Sequence, residues 1–436
     1  MIKHIFLIAL ALLLVLTPSF TAAESSLISS TASDSESFAF DHTELSESGI
    51  SALNSSTEIH FPHELVFHLE AESSSDIINV RLYYQVDRMN YAEVTSENWP
   101  AFTPSARIEI SWVWDMRRAS LPPGAEVTYW WAIEDAAGNK AETSPDIVYF
   151  DDNRYKWQSS TVNSSAGSSK LTLFWYEGDD SFAQELMEVC EVGLARLGRD
   201  TGVYLENPVR IYVYASSGDL RGAMIFPMEW TGGVAFTGFG IIVIGISPGQ
   251  LDWGKRALVH ELTHLVVHQA TFSPYGRLPT WLDEGIAMYN EGEPDPYIQS
   301  WLRKAIAEGK LISVRSLCSP FSADPDKAYL SYAESYSLVE YLLDNYGQAK
   351  MLNLLSLFKQ GSTYDEALIQ VYGFDIEGLD AHWRETLATT VVAREVKQSH
   401  PALIAVLSAL AAVLALAGAL ALEERTWRDD EQKSVR

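Results

Sequence analysis

Hydrophobic and polar residues alternate through much of the region 58–152. A period of two puts every second side chain on the same face, which is the pattern of a β-strand with one buried face. The clearest runs are residues 80–86, 107–113 and 126–133. Turn-forming glycine, proline and asparagine separate these runs, and their spacing predicts about five to seven short strands in an immunoglobulin- or fibronectin-III-like β-sandwich.

The pattern changes from residue 153 onward, where strand-like and helix-like segments follow one another. Apolar runs at 171–175, 209–214 and 241–244 have the length and composition of strands. Beyond residue 250, apolar residues recur at the three- and four-residue spacing of amphipathic helices. We therefore expect an α+β domain over residues 153–395, which is long enough to enclose a core and a cleft.

Both ends of the chain carry apolar runs without periodicity. The run 5–16 follows a lysine and precedes small residues, so residues 1–23 are predicted to be a cleavable signal peptide. The run 402–422 is long enough to span a bilayer, which predicts a transmembrane helix over 401–422 and a cytoplasmic tail over 423–436. The expected localisation is a single-pass cell-membrane protein with its N-terminal ectodomain outside the cytoplasm.

Composition refines this prediction. Residues 24–57 are rich in serine and acids and contain no lysine or arginine, which predicts a disordered tether. The formal net charge of −27 argues against nucleic acid as a partner. The two cysteines, Cys190 and Cys318, do not form a disulfide framework, and whether they pair stays open. A tryptophan cluster in the first domain is interpreted as core rather than as a carbohydrate platform; it consists of Trp112, Trp114, Trp130 and Trp131.

Two histidines and a glutamate follow the pattern His260-Glu261-x-x-His264 in a segment with helical apolar spacing. On a helix, residues four apart share a face, so His260 and His264 can bind one ion. Glu261 lies beside them, within reach of a water at that ion. Glu284, in a second predicted helix, would complete a His₂Glu site with one open position, which is the arrangement of a catalytic zinc centre.

Two neighbouring residues allow more than one interpretation. His268 lies two helical turns from His260, on the order of 12 Å along the axis, so it cannot bind the same ion and is expected beside the ligands or at the surface. Asp283 either orients a ligand histidine or belongs to a capping box that begins at Thr280. The pattern Thr280-x-x-Asp283 favours the cap.

Together with three other motifs, this pattern resembles a known family. The motifs are residues 174–179 (FWYEGD), 260–264 (HELTH), 281–287 (WLDEGIA) and 332–336 (YAESY). Residues from about 170 to 388 resemble the peptidase MA-like domain of bacterial exported proteins, a branch of the gluzincin zinc peptidases that includes thermolysin and aminopeptidase N. The resemblance implies a gluzincin-type fold in which a small mixed sheet lies over a helical lobe.

The resemblance also implies a role for a tyrosine. Tyr332 corresponds to the tyrosine that stabilises the oxyanion in aminopeptidase-type members of the superfamily. Tyr329 and Tyr336 are close enough in the sequence to leave this assignment open, and a purely structural role for Tyr332 is an equal alternative.

These features predict a membrane-anchored, extracytoplasmic zinc metallopeptidase in which Glu261 is the general base. An endopeptidase is favoured because residues 232–236, where related aminopeptidases carry the glutamate that binds the substrate amine, contain no acid. The expected partners are Zn²⁺, a peptide or protein substrate, and the membrane through the C-terminal helix; the oligomeric state stays open. The alternatives are a surface binding or adhesion protein with a zinc-stabilised gluzincin scaffold, and a zinc hydrolase of a non-peptide amide.

Overall fold

The computed structural model describes residues 49–89, 91–164, 169–228 and 231–399. Its first part is a seven-stranded sheet in which every pairing is antiparallel. The strands are β1 (Ile50–His60), β2 (Glu64–Val86), β3 (Thr95–Asn98), β4 (Ser105–Asp115), β5 (Ala125–Asp135), β6 (Lys140–Glu142) and β7 (Asp146–Phe150). Strand β1 begins inside the range predicted as a tether, whose residues 24–48 lie outside the described residues.

Strand β2 is shared by two halves of this sheet. Its first half pairs with β1 and β4, and its second half pairs with β3 and β5. Phe67 in the first half contacts Tyr129 of β5, with ring centroids 5.0 Å apart, so the two halves pack in a common core. One continuous strand therefore links the halves by hydrogen bonds, whereas the predicted sandwich consists of two separate sheets.

The tryptophan cluster mainly serves this core. Trp131 is fully buried, and Trp112 and Trp114 pack against the buried residues from the same side of β4. Trp130 points to the other face of β5 and stacks on Tyr83, with ring centroids 5.5 Å apart. The interpretation of the cluster as core is thus confirmed for the three tryptophans that pack inward.

The second part of the chain combines a mixed sheet with helices. The sheet has the strand order β11-β12-β10-β9-β8, with parallel pairing among β9, β10 and β12 and antiparallel pairing at both edges. Its strands are β8 (Gln158–Asn163), β9 (Lys170–Trp175), β10 (Val209–Tyr214), β11 (Gly233–Phe236) and β12 (Ile241–Gly245). The helices are α1 (Asp180–Thr201), α2 (Ser217–Gly222), α3 (Leu251–Thr271), α4 (Thr280–Asn290), α5 (Pro296–Glu308), α6 (Pro325–Lys359), α7 (Tyr364–Tyr372) and α8 (Ile376–Ser399). The α+β class is as predicted.

The mixed sheet contributes to two hydrophobic cores because side chains alternate along its strands. Ile211 and Ile242 point to one face and join the core formed with the helices. Tyr212 and Val243 point to the other face and join the core of the seven-stranded sheet. The first part of the chain therefore covers one face of the mixed sheet, and the two parts share buried surface.

Close packing between α4 and α6 holds the helices that carry the candidate site. Gly285 of α4 faces the backbone of α6, where an added Cβ atom would lie 2.5 Å from the Ser335 carbonyl oxygen. Any larger side chain would therefore push the two helices apart. The glycine that follows Glu284 in the WLDEGIA motif is thus explained by the distance between these backbones.

The fold prediction included a transmembrane helix over residues 401–422, and this part requires correction. Among the described residues, no helix combines the length and apolar character needed to cross a membrane; the long helices α6 and α8 both carry charged side chains. No membrane-spanning helix is part of the described structure. The predicted single-pass membrane localisation depended on that helix, so it is corrected as well. The predicted segments 1–23, 401–422 and 423–436 lie outside the described residues.

Candidate metal centre

Helices α3 and α4 bring three potential metal ligands together. His260 and His264 lie one turn apart on α3, and their Nε2 atoms are 3.1 Å apart. Glu284 of α4 places its Oε2 atom 3.4 Å from the Nε2 atom of His260 and 3.5 Å from that of His264. All three residues are buried, and they are the group of metal-binding side chains found among the described residues.

The donor set matches the requirements of zinc. Ligand atoms about 2.0–2.1 Å from a tetrahedral zinc ion lie roughly 3.3 Å from one another, close to the observed separations. The Oε2 atom of Glu284 is buried and makes no hydrogen bond among the described residues. A buried carboxylate oxygen without a partner is costly, and a cation between the three side chains would remove that cost.

Each ligand histidine is held by a carboxylate through its other ring nitrogen. The Nδ1 atom of His260 lies 2.8 Å from Glu291 Oε1, and that of His264 lies 3.0 Å from Asp283 Oδ1. These contacts turn both Nε2 atoms toward Glu284, as such outer carboxylates do in metal sites. Arg256 donates to the second oxygen of Glu291, at 3.1 Å, and so fixes that carboxylate in turn.

Glu291 is not among the site residues predicted from the sequence. It lies seven residues after Glu284 at the C-terminal end of α4, and a spacing of two helical turns puts both residues on the same side of the helix. That spacing is the signal that could have revealed it.

The structure decides between the two interpretations of Asp283. Helix α4 begins without a side-chain cap, and the Thr280 hydroxyl donates to the Cys318 carbonyl oxygen at 3.3 Å. The capping box is therefore wrong. Asp283 instead lies between two histidines, because its second oxygen is 3.0 Å from Nε2 of the partly exposed His268. His268 contacts the carboxylate that orients His264 and is not part of the ligand group.

The electrostatics of the site favour a cation. Burial lowers the pKa of His260, but the carboxylates of Glu284 and Glu291, which face its two ring nitrogens, outweigh burial and raise that pKa to about 9. Burial also opposes the charge of Asp283, yet His264 and His268 hold its pKa well below the usual range. The acids around the histidines thus create a negative potential, which stabilises positive charge at this position whether it is a proton or a metal ion.

Glu261 lies at the inner side of the site, against strand β11. It is buried, and an added Cβ atom at Gly233 would come within 3.1 Å of its Oε1 atom. Burial raises the pKa of Glu261, while the charges of His260 and His264 lower it. Gly233 therefore leaves space beside strand β11 for the carboxylate of Glu261, which is not part of the ligand group.

The three candidate tyrosines have different environments. Tyr332 is buried, and its pKa is raised well above the usual range by burial first and by the nearby charges of Glu284 and Glu261 next. Tyr336 donates to Glu340 at 3.1 Å, and Tyr329 stacks on Trp301. Of the three tyrosines, Tyr332 is thus the one whose pKa is raised by the charges of Glu284 and Glu261.

The two cysteines lie apart from this site and do not pair. Cys190 is fully buried in α1 and Cys318 is half-buried, and both are free thiols. Burial raises the pKa of the Cys318 thiol to about 11, so it stays protonated at neutral pH.

Comparison with known proteins identifies the class of this domain. Residues 189–389 match the family model described as the Peptidase MA superfamily, so the resemblance predicted from the motifs is confirmed for this part of the chain. The match supports a peptidase as the class of protein. A search of curated proteins found no match.

Solved structures show a more distant similarity. An M1 zinc metallopeptidase from Deinococcus radiodurans is 13% identical, with coverage of 77% of this chain and 94% of that chain and a TM-score of 0.37. The protein OgpA from Akkermansia muciniphila is 10% identical, with coverage of 23% of this chain and 28% of that chain and a TM-score of 0.19. At this level of similarity neither structure extends an activity to this chain.

Proposed function

We propose that this protein is a zinc-dependent peptidase whose metal is held by His260, His264 and Glu284. The observation that carries the proposal is the buried Oε2 atom of Glu284, which has no hydrogen bond to any residue that the structure describes and faces the Nε2 atoms of both histidines. Three donors converge on one point, and the other ring nitrogens of the two histidines are held by Glu291 and Asp283. Within the described part of the chain the group has three protein ligands, which matches a catalytic zinc site more closely than a structural one.

Zinc at this position would polarise the scissile carbonyl and lower the pKa of a water toward about 7. Glu261 accepts the proton of the attacking water and later passes it to the leaving amine, since its carboxylate is next to the ligands without being one of them. Because the pKa of Glu261 is raised, its carboxylate holds the transferred proton more readily than an ordinary glutamate does. The hydroxyl of Tyr332 stays protonated and donates to the developing oxyanion.

We propose further that the enzyme is an endopeptidase. Among the described residues, strand β11 pairs with β12 on one side only, so its other edge can add an extended peptide by backbone hydrogen bonds. Gly233 keeps this edge close to Glu261. The strand, residues Gly233–Phe236, offers no acid to bind a substrate ammonium, so a free amino terminus is not required.

The test is the digestion of a peptide library, followed by a comparison of one internally quenched peptide with and without N-acetylation. We expect cleavage inside the peptide at similar rates in both forms, and its loss in a Glu261→Gln variant that keeps its zinc. Release of single residues from the unblocked peptide alone would show an aminopeptidase instead. Native activity in Glu261→Gln with zinc bound would exclude the general-base role.

A further inference from the structure

A pocket of about 530 Å³ opens between α5, the segment 310–322 and the start of α6. Most of its wall is apolar and includes Trp301, Ala305, Ile312, Leu317, Phe321 and Leu330. Its size and apolar lining are those of a ligand-binding pocket rather than of a packing defect.

The pocket adjoins the candidate active site through an aromatic wall. Phe321 lines the pocket and also contacts Tyr332, with ring centroids 5.1 Å apart at a nearly perpendicular angle. Trp301 lines the pocket and stacks on Tyr329, with ring centroids 6.1 Å apart. The wall of the pocket is therefore in direct contact with Tyr332 beside the candidate active site.

The charge at the pocket differs from that of the chain as a whole. Lys304, Lys310 and Lys327 line it together with Glu308 and Asp326, which leaves an excess of one positive charge in a protein with a formal net charge of −27. Lys310 is paired with Glu308 at 2.8 Å. Within the described part of the chain, Lys304 and Lys327 make no ion pair, and Lys304 lies over the Trp301 ring at 5.2 Å. Two lysines are thus available to an anion beside an apolar floor.

We propose that this pocket binds an apolar substrate side chain next to a carboxylate, so that the enzyme prefers acidic, hydrophobic peptide segments. The proposal rests on the proposed peptidase function and adds a substrate class to it. The apolar side chain is buried against Trp301 and Leu330, and the carboxylate pairs with Lys304 and Lys327. Such pairs at a solvent-accessible rim act on the rate and the specificity of substrate binding, and therefore on KM more than on kcat.

The test uses internally quenched, N-acetylated peptides that contain leucine followed by glutamate or by glutamine, with this pair moved through the positions around the cleaved bond. At one position we expect the glutamate peptide to have a KM about fivefold lower, with kcat nearly unchanged, which is the effect of one or two exposed ion pairs. In the double variant Lys304→Gln with Lys327→Gln this difference should disappear. The control Lys359→Gln, an exposed lysine at the end of α6, should retain it.

Equal KM values for both peptides at every position, or a preference that survives the double variant, would overturn the proposal. Calorimetric binding of the same peptides to Glu261→Gln separates this failure from that of the peptidase function. If glutamate-dependent binding occurs and is lost in the lysine variant while no peptide is cleaved by the unaltered protein, the pocket assignment stands and the peptidase proposal fails. If peptides are cleaved without such a preference, only the pocket assignment fails.

Discussion

The metal centre and the junction between the two sheets both bury carboxylates, but they satisfy them differently. At the junction, fully buried Asp152 accepts hydrogen bonds from Arg154 at 2.6 Å and from the Tyr214 hydroxyl at 3.0 Å. At the metal centre, the Oε2 atom of Glu284 accepts no hydrogen bond within the described part of the chain and faces His260 and His264. Because a buried charge is costly unless it is paired, the junction is complete within the protein, whereas the metal centre needs a cation.

This difference shows how a buried acid can be interpreted in a protein of this kind. Asp152 has an arginine as its partner and serves to hold two parts of the chain together. Glu284 has neutral or titrating partners whose remaining nitrogens are already used by Glu291 and Asp283. Burial alone does not distinguish the two cases; the presence or absence of a permanent cationic partner does.

The largest expected effect is the loss of zinc from the metal centre, which should not depend on the junction around Asp152. His260→Ala, His264→Ala and Glu284→Ala should each lose most of the zinc, and with it several orders of magnitude of peptidase activity, because three ligands are needed to hold the ion. Metal analysis of purified protein together with peptide hydrolysis measures both effects. Full zinc occupancy in Glu284→Ala would show that Glu284 is not a ligand. The contrast between the metal centre and the Asp152 junction would then be wrong.

Tyr332→Phe should lower kcat roughly a hundredfold or more, as the loss of one oxyanion donor does, while zinc content and KM change little. Steady-state kinetics with one quenched peptide provides the measurement. Tyr336→Phe is the matched control, because its hydroxyl donates to Glu340 rather than toward the ligands. If Tyr332→Phe has an unchanged rate, its side chain serves packing alone.

At the junction, Asp152→Ala should reduce the free energy of unfolding by about 2–3 kcal/mol, since hydrogen bonds to a charged group are lost and the Tyr214 hydroxyl is left buried without its partner. Zinc content in the folded protein should stay at one ion per chain. Urea unfolding followed by tryptophan fluorescence tests the first expectation and metal analysis the second. Loss of zinc without loss of stability would mean that Asp152 at the junction influences the metal centre, contrary to this expectation.

Glu291→Gln should weaken zinc binding by about tenfold to a hundredfold, as expected when a carboxylate that orients a ligand histidine is neutralised. The unfolding free energy of the metal-free protein should also fall, because the buried His260 loses its contact with a charged carboxylate. Competition with a chelator of known affinity gives the zinc affinity. An unchanged affinity would show that His260 is positioned by the helix alone.

His268→Ala should have the smallest effect of the series. The variant should keep its zinc, because His268 contacts Asp283 and not the ion. A modest acceleration of zinc exchange is expected, since one of the two groups that hold Asp283 is removed. Loss of zinc comparable to that of His264→Ala would make His268 a ligand and contradict the observed geometry.

Several elements of the site could be predicted from the sequence because they depend on local geometry. Residues four apart on a helix share a face wherever the helix lies, so the pairing of His260 and His264 follows from the motif. The strands of the first part follow from alternation in the same way. The shared strand β2 could not be predicted, because a run of alternating residues does not reveal which neighbours it pairs with.

The sequence alone determined that the chain carries an HExxH helix, an acid in a second helix and the motifs of the Peptidase MA superfamily. Only the tertiary structure decided that Asp283 orients His264 instead of capping α4 and that Glu291 holds His260. The charges of Glu284 and Glu261 raise the pKa of Tyr332, whereas the hydroxyl of Tyr336 donates to Glu340. These roles arise from the approach of α3, α4 and α6, whose separation is set by contacts such as Gly285 against Ser335. Distances between helices depend on packing across the whole core, which no local pattern in the chain contains.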